Sequence, residues 1–231
     1  MHPSIMPRIL LLAALLTGVL MASTTHAEQY AVNAFGDSLT SGYPYWTGMD
    51  GNGCLPSSCR GGYREPLQTL LKNAGRDARV ENWGRRADTT SSGLARFDSV
   101  LAKSKPRYIL LMEGTNELYF GSAETVRANL ANMIDKAKAK GVIPVLGTFT
   151  PDPRYPEKNL PQANALLKEL ALEKDIALAD HYGALKSNWA NLCTSDRIHP
   201  NQAGYSIMAQ IWFNCMKTLD LTPIIMLLLD D

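Results

Sequence analysis

Short apolar runs alternate along this chain with segments of helical period, and few folds accommodate that order. Tyr30–Phe35, Ala78–Asn82, Arg107–Met112, Val142–Phe149 and Ile176–Ala179 read as strands. Arg107–Met112 has the near-continuous apolar character of a strand buried on both faces. Between the strands, Tyr63–Ala74 places Leu67, Leu70, Leu71 and Ala74 on one helical face before Gly75 stops it. Ser91–Lys103 turns Leu94, Phe97 and Leu101 inward, with Pro106 beyond its end. Ser122 can N-cap a helix in which Val126, Leu130, Met133, Ile134 and Ala137 keep helical spacing until Gly141. A further helix carries Leu166, Leu167 and Leu170, and Ala203–Leu219 is the last, with Ile207, Ile211 and Trp212 facing in. Strand–helix alternation of this kind predicts an α/β fold: a five-stranded parallel sheet with helices on both faces. In such a sheet the loops that follow the strands open on one edge, where ligands bind.

Composition adds limits rather than partners. The 231 residues fit one domain, with 23 basic against 22 acidic side chains. That balance excludes the basic footprint of a nucleic-acid binder, and no acidic block suggests a disordered tail. Residues 1–27 read as an export signal: Arg8 supplies the n-region charge, Ile9–Met21 is apolar, and Thr25-His26-Ala27 is a cleavage site before Glu28. The apolar run is shorter than a spanning helix needs, so no stable membrane insertion is expected, and the mature domain is 28–231, periplasmic or secreted. Export makes disulfides possible for the four cysteines. Three connectivities exist; Cys54–Cys59, closing the Gly-rich loop Asp50–Gly62, with Cys193–Cys215, tying the turn before Asp196 to the last helix, is the favoured pairing. Neither cysteine spacing nor a His pair supports a zinc site, so no metal is expected. The apolar Ile224–Leu229 near the end fits a small packed strand or an exposed tail.

The chemistry collects at the predicted strand ends. Phe35-Gly36-Asp37-Ser38-Leu39-Thr40 puts a hydroxyl just past the first strand, and a serine there needs a base and oxyanion donors to become a nucleophile. Asp196-Arg197-Ile198-His199-Pro200 offers the base, with a carboxylate three residues before it, and Gly114-Thr115-Asn116-Glu117 offers an amide donor. His2 and His26 lie in the signal, so His181 is the competitor to His199; beside Asp180 at the end of the fifth strand, it has a loop role or a substrate contact.

These ordered blocks, which span nearly all of the mature sequence, resemble the SGNH (GDSL) hydrolase family. Its members are serine esterases, lipases, lysophospholipases, thioesterases and carbohydrate O-deacetylases on a flavodoxin-like three-layer sandwich. The resemblance implies Ser38 as nucleophile, His199 as base and Asp196 as the acid that orients it, working without a cofactor. It also implies an oxyanion hole from the Ser38 amide, a backbone amide after the second strand, and Asn116. In Asn82-Trp83-Gly84-Arg85-Arg86-Ala87-Asp88-Thr89 the family's donor glycine falls on Ala87, with Gly84 as the fallback; alanine resists the positive φ that a glycine would accept. Glu117 stands where the family has Asp. Tyr43, Tyr45 and Trp46, with Tyr119 and Phe120, could line a substrate pocket or simply pack the loops. Gly61-Gly62-Tyr63-Arg64 resembles carbohydrate-acetyl esterases of the family, whereas Ser91–Arg96 resembles the thioesterase/lysophospholipase branch. Small-molecule, lipid and glycan esters therefore all stand as substrates.

Overall fold

In a computed structural model, residues 30–47, 49–50, 53–54, 60–119, 122–155 and 159–229 are described. Five parallel strands form the sheet: β1 (Tyr30–Gly36), β4 (Ala78–Gly84), β5 (Tyr108–Met112), β6 (Ile143–Gly147) and β7 (Ala177–Ala179), in the order β4-β1-β5-β6-β7. Two-residue strands β2 (Met49–Asp50) and β3 (Gly53–Cys54) form a separate antiparallel ribbon in the loop after β1. The helices are α1 (Ser38–Ser41), α2 (Arg64–Asn73), α3 (Thr90–Ser104), α4 (Ala123–Ala139), α5 (Asn159–Glu173), α6 (His181–Leu185), α7 (Trp189–Leu192) and α8 (Gln202–Leu229).

The two faces of the sheet are each covered, as the apolar runs require. Tyr108, Leu110 and Met112 of β5 point into one core with Val32, Val80, Val145 and residues of α2 and α8. The alternate residues Ile109 and Leu111 join Phe35 and Leu146 against α3, α4 and α5 on the other. This is the three-layer doubly wound arrangement, and its strand order reverses between β1 and β5. Register brings the site together: Gly36 is level with Gly84 on one side and Met112 on the other, so the loops after β1, β4 and β5 leave the sheet side by side. Gly84 is glycine because α1 crosses it closely; a Cβ there would stand 2.2 Å from the Ser41 nitrogen.

Edge strand β4 is closed off by α2. The outward amide of Val80 donates to Gln68 Oε1 at 3.0 Å, and its carbonyl accepts from Arg64 Nε at 2.7 Å, which removes a template for edge pairing. At the amino-terminal edge, the Tyr30 and Tyr108 hydroxyls donate to Asp220 at 2.8 and 2.7 Å, clasping α8 to the sheet.

Several expectations shift. The inward stripe of α8 is Tyr205, Met208, Ala209, Trp212 and Met216, with Ile207 and Ile211 only half-buried at its margin. Ala74 of the expected α2 stripe is exposed and Leu70 half-buried. β6 is shorter than Val142–Phe149, and the apolar terminal segment continues α8 to Leu229 rather than forming a strand. The expected Cys193–Cys215 bridge is corrected: both thiols are free. Cys193 sits beside the Asp196–His199 turn in a bridge with Pro200, whereas Cys215 lies about 20 Å along α8 at 1.5 Å per residue, facing the Leu178 carbonyl at 3.3 Å. A bridge requires Cα atoms within about 7 Å. The Cys54–Cys59 pairing lies outside the described residues.

Candidate active site

Ser38 enters the site because Asp37 ends β1. The Asp37 side chain N-caps α1, its Oδ1 accepting the Leu39 amide at 2.9 Å, and α1 closes on Gly42. Ser38 Oγ lies 2.8 Å from His199 Nε2, and His199 Nδ1 lies 2.7 Å from Asp196 Oδ2. A carboxylate can only accept, so Nδ1 carries the proton, and Nε2 is left to accept from the Ser38 hydroxyl. Serine and histidine, 161 residues apart in sequence, thus meet in a donor–acceptor relay.

The turn carrying Asp196 and His199 is braced on several sides. The Thr194 amide donates to the His199 carbonyl at 2.8 Å, the Arg197 amide to the Thr194 carbonyl at 2.9 Å, and Trp189 Nε1 to the Arg197 carbonyl at 2.9 Å. Arg197 takes φ 60° to let the chain reverse between the two side chains. Partial burial alone would push the Asp196 carboxyl up. Hydrogen bonds from the His199 amide, the Thr194 hydroxyl, the His199 ring and the Ile198 amide outweigh it and hold the group well below the usual carboxylate range. Asp196 is therefore an ion at neutral pH.

A cleft of about 190 Å³ opens over Ser38, bounded by Tyr43, Arg86, Ala87, Asn116, Asp196 and His199. Ala87 faces it with φ 57°, a left-handed conformation that costs a non-glycine residue roughly 1–2 kcal/mol. The fallback, Gly84, is not at the cleft, and its amide is taken by Asn82 Oδ1 at 2.9 Å. Asn116 lines the cleft, and its Nδ2 donates to the Asp88 carbonyl at 2.9 Å, a bond that uses one of its two hydrogens. Glu117 explains its extra methylene: the carboxylate reaches across to accept from the Thr90 amide at 2.8 Å and the Ser91 hydroxyl at 3.1 Å, so the Asn116 loop is pinned to the start of α3.

Tyr43 and Trp46 are both at the site. The Tyr43 ring packs 4.5 Å from the His199 ring and 4.7 Å from Trp46, and its carbonyl accepts the Tyr205 hydroxyl at 2.7 Å. The side chain of Tyr119, and Phe120, lie outside what is described. Tyr45 belongs elsewhere, to a larger cavity of about 700 Å³ between α2 and α8 that contains neither Ser38 nor His199. His181 is also away from the cleft: it is fully buried, 4.6 Å from Trp212, with both ring nitrogens unpartnered among the described residues.

Beneath the loops lies a buried charge cluster that sequence reading missed. Arg96 Nε donates to Asp88 at 2.9 Å, and its terminal nitrogens donate to the Trp83 carbonyl at 2.8 Å and the Gly36 carbonyl at 3.2 Å. Glu113 approaches the same guanidinium at 3.5 Å. One arginine thereby ties the ends of β1 and β4 to the loop after β5. Burial pushes Asp37 up to about 7, despite the Leu39 amide, and drives Glu113 well above the ordinary carboxylate value. Asp37, Asp88 and Arg96 each stand in a block quoted for another reason, and nothing in the sequence marked that they meet one another or Glu113. Arg86 was missed too; it stood in the Asn82–Thr89 block with no role of its own.

The sequence pattern of the GDSL-like Lipase/Acylhydrolase family matches residues 34–207, which spans every block described above. The chain belongs to this family. It is a carboxylic ester hydrolase. Among curated proteins it is 28% identical over 208 residues to esterase TesA of Pseudomonas aeruginosa, covering 89% of this chain and 96% of that one. It is 25% identical over 178 residues to thioesterase 1/protease 1/lysophospholipase L1 of Escherichia coli, covering 75% of this chain and 77% of the other. The crystal structure of TesA superposes with a TM-score of 0.69 at 25% identity, covering 81% of this chain and 98% of that one. An acetylxylan esterase from Geobacillus stearothermophilus shares the fold at a TM-score of 0.66 and 21% identity, over 81% and 94% of the two chains.

Proposed function

We propose that the mature protein is an exported serine esterase that cleaves acyl or lysophospholipid-type esters, and thioesters, through a Ser38–His199–Asp196 triad and an acyl-enzyme. The observation that carries this reading is the unbroken relay from the Ser38 hydroxyl through His199 to an ionised Asp196, set at the floor of a small cleft. His199 takes the hydroxyl proton as Ser38 Oγ attacks the acyl carbon, and Asp196 stabilises the imidazolium. The Ser38 and Ala87 amides and Asn116 Nδ2 hold the oxyanion. Nε2 then returns the proton to the departing alcohol, and water releases the acyl group by the same steps in reverse. The residues need no cofactor for any of these transfers.

A cleft of about 190 Å³ suits a short acyl group, which favours a second reading on the same chemistry: an O-acetyl esterase acting on carbohydrate. The relatives named above include both kinds of enzyme. A short p-nitrophenyl ester tests the common chemistry; Ser38→Ala and His199→Ala should each abolish its hydrolysis in folded protein, and retained turnover would refute the triad. Rates on acetylated xylan against lysophospholipid separate the two substrate readings. Export is supported by the n-region, apolar run and Ala27–Glu28 junction; a mature N-terminus other than Glu28 would contradict the assigned cleavage.

A further inference from the structure

Two charged side chains, Asp196 and Arg86, border the cleft, and Asp196 is tied to His199. Arg86 has no described carboxylate within ion-pair distance. Its guanidinium carbon instead lies 5.8 Å from the ring centres of both Tyr43 and Trp46, in cation–π range of each. The two rings restrain a side chain that would otherwise be free in solvent, and they leave its edge available. A guanidinium is a planar fork of donors matched to phosphate and carboxylate oxygens.

The side of the cleft on which Arg86 stands decides which half of a substrate it meets. Ala87 and Asn116 mark where the acyl oxygen goes. His199 Nε2 must reach the departing alcohol oxygen, so the alcohol half extends past the imidazole. Tyr43 is the ring packed on that imidazole, and the Arg86 guanidinium lies 5.8 Å from the Tyr43 ring centre. We propose that Arg86 binds an anionic group, phosphate above all, carried by the alcohol half of the ester, so that the enzyme selects esters of phosphorylated alcohols over neutral ones. The inference rests on the esterase reading and adds a specificity-determining residue to it. In the step it serves, the bond from Ser38 Oγ to the acyl carbon forms as the bond from that carbon to the alcohol oxygen breaks. The Ser38 proton passes through Nε2 to the alcohol, which leaves with its phosphate unchanged.

The test uses two esters with the same scissile bond, 1-butanoylglycerol 3-phosphate and 1-butanoylglycerol. A single exposed charge-assisted contact predicts roughly a tenfold preference for the phosphorylated ester, carried in KM. The preference should shrink as salt rises from about 0.05 M to about 1 M, where the screening length falls to about 3 Å. Arg86→Met should remove about tenfold more kcat/KM from the phosphorylated ester than from the neutral one, and Arg86→Lys should retain part of the preference. Equal losses on both esters would mean that Arg86 only holds the Ala87 loop, and would overturn the proposal while leaving the esterase intact. A wild-type enzyme without a salt-sensitive preference would overturn it as well. Turnover of neither ester would overturn this inference; it would leave the esterase reading intact if a short p-nitrophenyl ester is still hydrolysed, and loss of that activity too would refute both.

Discussion

His181→Leu should change how the protein's stability depends on pH, and by an amount that follows from burial. His181 is fully buried beside Trp212, and desolvation lowers its pKa from 6.5 to about 3, against the weaker pull of Asp180. The unfolded chain binds a proton at this residue below about pH 6.5, whereas the folded chain does not until near pH 3. Stability therefore falls on acidification, by about 1.4 kcal/mol for each pH unit in that window. Between pH 7 and 4.5 the loss amounts to about 2–3 kcal/mol, a large share of the roughly 5–15 kcal/mol that holds a typical domain. Asp37 works in the opposite sense. With its folded value pushed up to about 7, it takes up a proton in the native state while the unfolded carboxyl is still ionised, so acidification stabilises through it until about pH 4. Glu113, also raised by burial, has the same sign. The wild-type curve thus sums contributions of opposite sign, and the variant removes the one that His181 makes. Urea melts of both proteins at pH 7 and 4.5, analysed with a common slope, should show the variant gaining about 2–3 kcal/mol relative to wild type as pH falls. Parallel curves would show that His181 keeps an ordinary pKa inside the fold, and the burial argument would be wrong.

Other perturbations separate the parts of the site. Asn116→Ala should cut kcat by about 10²–10³ with little change in KM, as loss of an oxyanion donor does, in steady-state assays on a p-nitrophenyl ester. Ala87→Gly relieves a left-handed strain at the cost of unfolded-chain entropy, so the urea midpoint should move by less than about 1 kcal/mol and activity should persist. Glu117→Gln keeps the shape but weakens the tether to Thr90 and Ser91; it should lower kcat severalfold through Asn116, and Glu117→Asp should recover less than the native side chain. Gly84→Ala drives a Cβ into the Ser41 backbone and should prevent accumulation of folded protein, read as loss of a cooperative melt.

Much of this was legible in the sequence because the signals were local. Short apolar strands alternate with helical segments, and a parallel sheet built from them opens the loops after its strands on one edge. Asp196 and His199 are three residues apart, so their pairing needed only a turn. What escaped was set by tertiary contact. α8 carries apolar residues over most of its surface, so periodicity placed Ile207 and Ile211 inward where packing chose Met208 and Ala209. Cys193 before the final helix and Cys215 within it looked pairable, but the stretch of α8 between its start and Cys215 keeps them apart. Asp37, Asp88, Arg96 and Glu113 meet only when three loops converge, and nothing in any one segment marks a buried charge. The left-handed turn at Arg197 is imposed on a residue that does not advertise it, whereas at Ala87 the family's glycine pointed to a positive φ. Arg86 was hidden for a simpler reason: an exposed arginine is ordinary until the rings beneath it are known.

The measurement that bears most directly on the triad is fluorophosphonate labelling of the mature protein, with mass spectrometry to locate the adduct. An activated Ser38 predicts one stoichiometric modification at that residue, lost in His199→Ala and strongly slowed in Asp196→Asn. A folded protein that takes no label, or takes it at another serine, would contradict the relay from Ser38 to Asp196 as the source of activity.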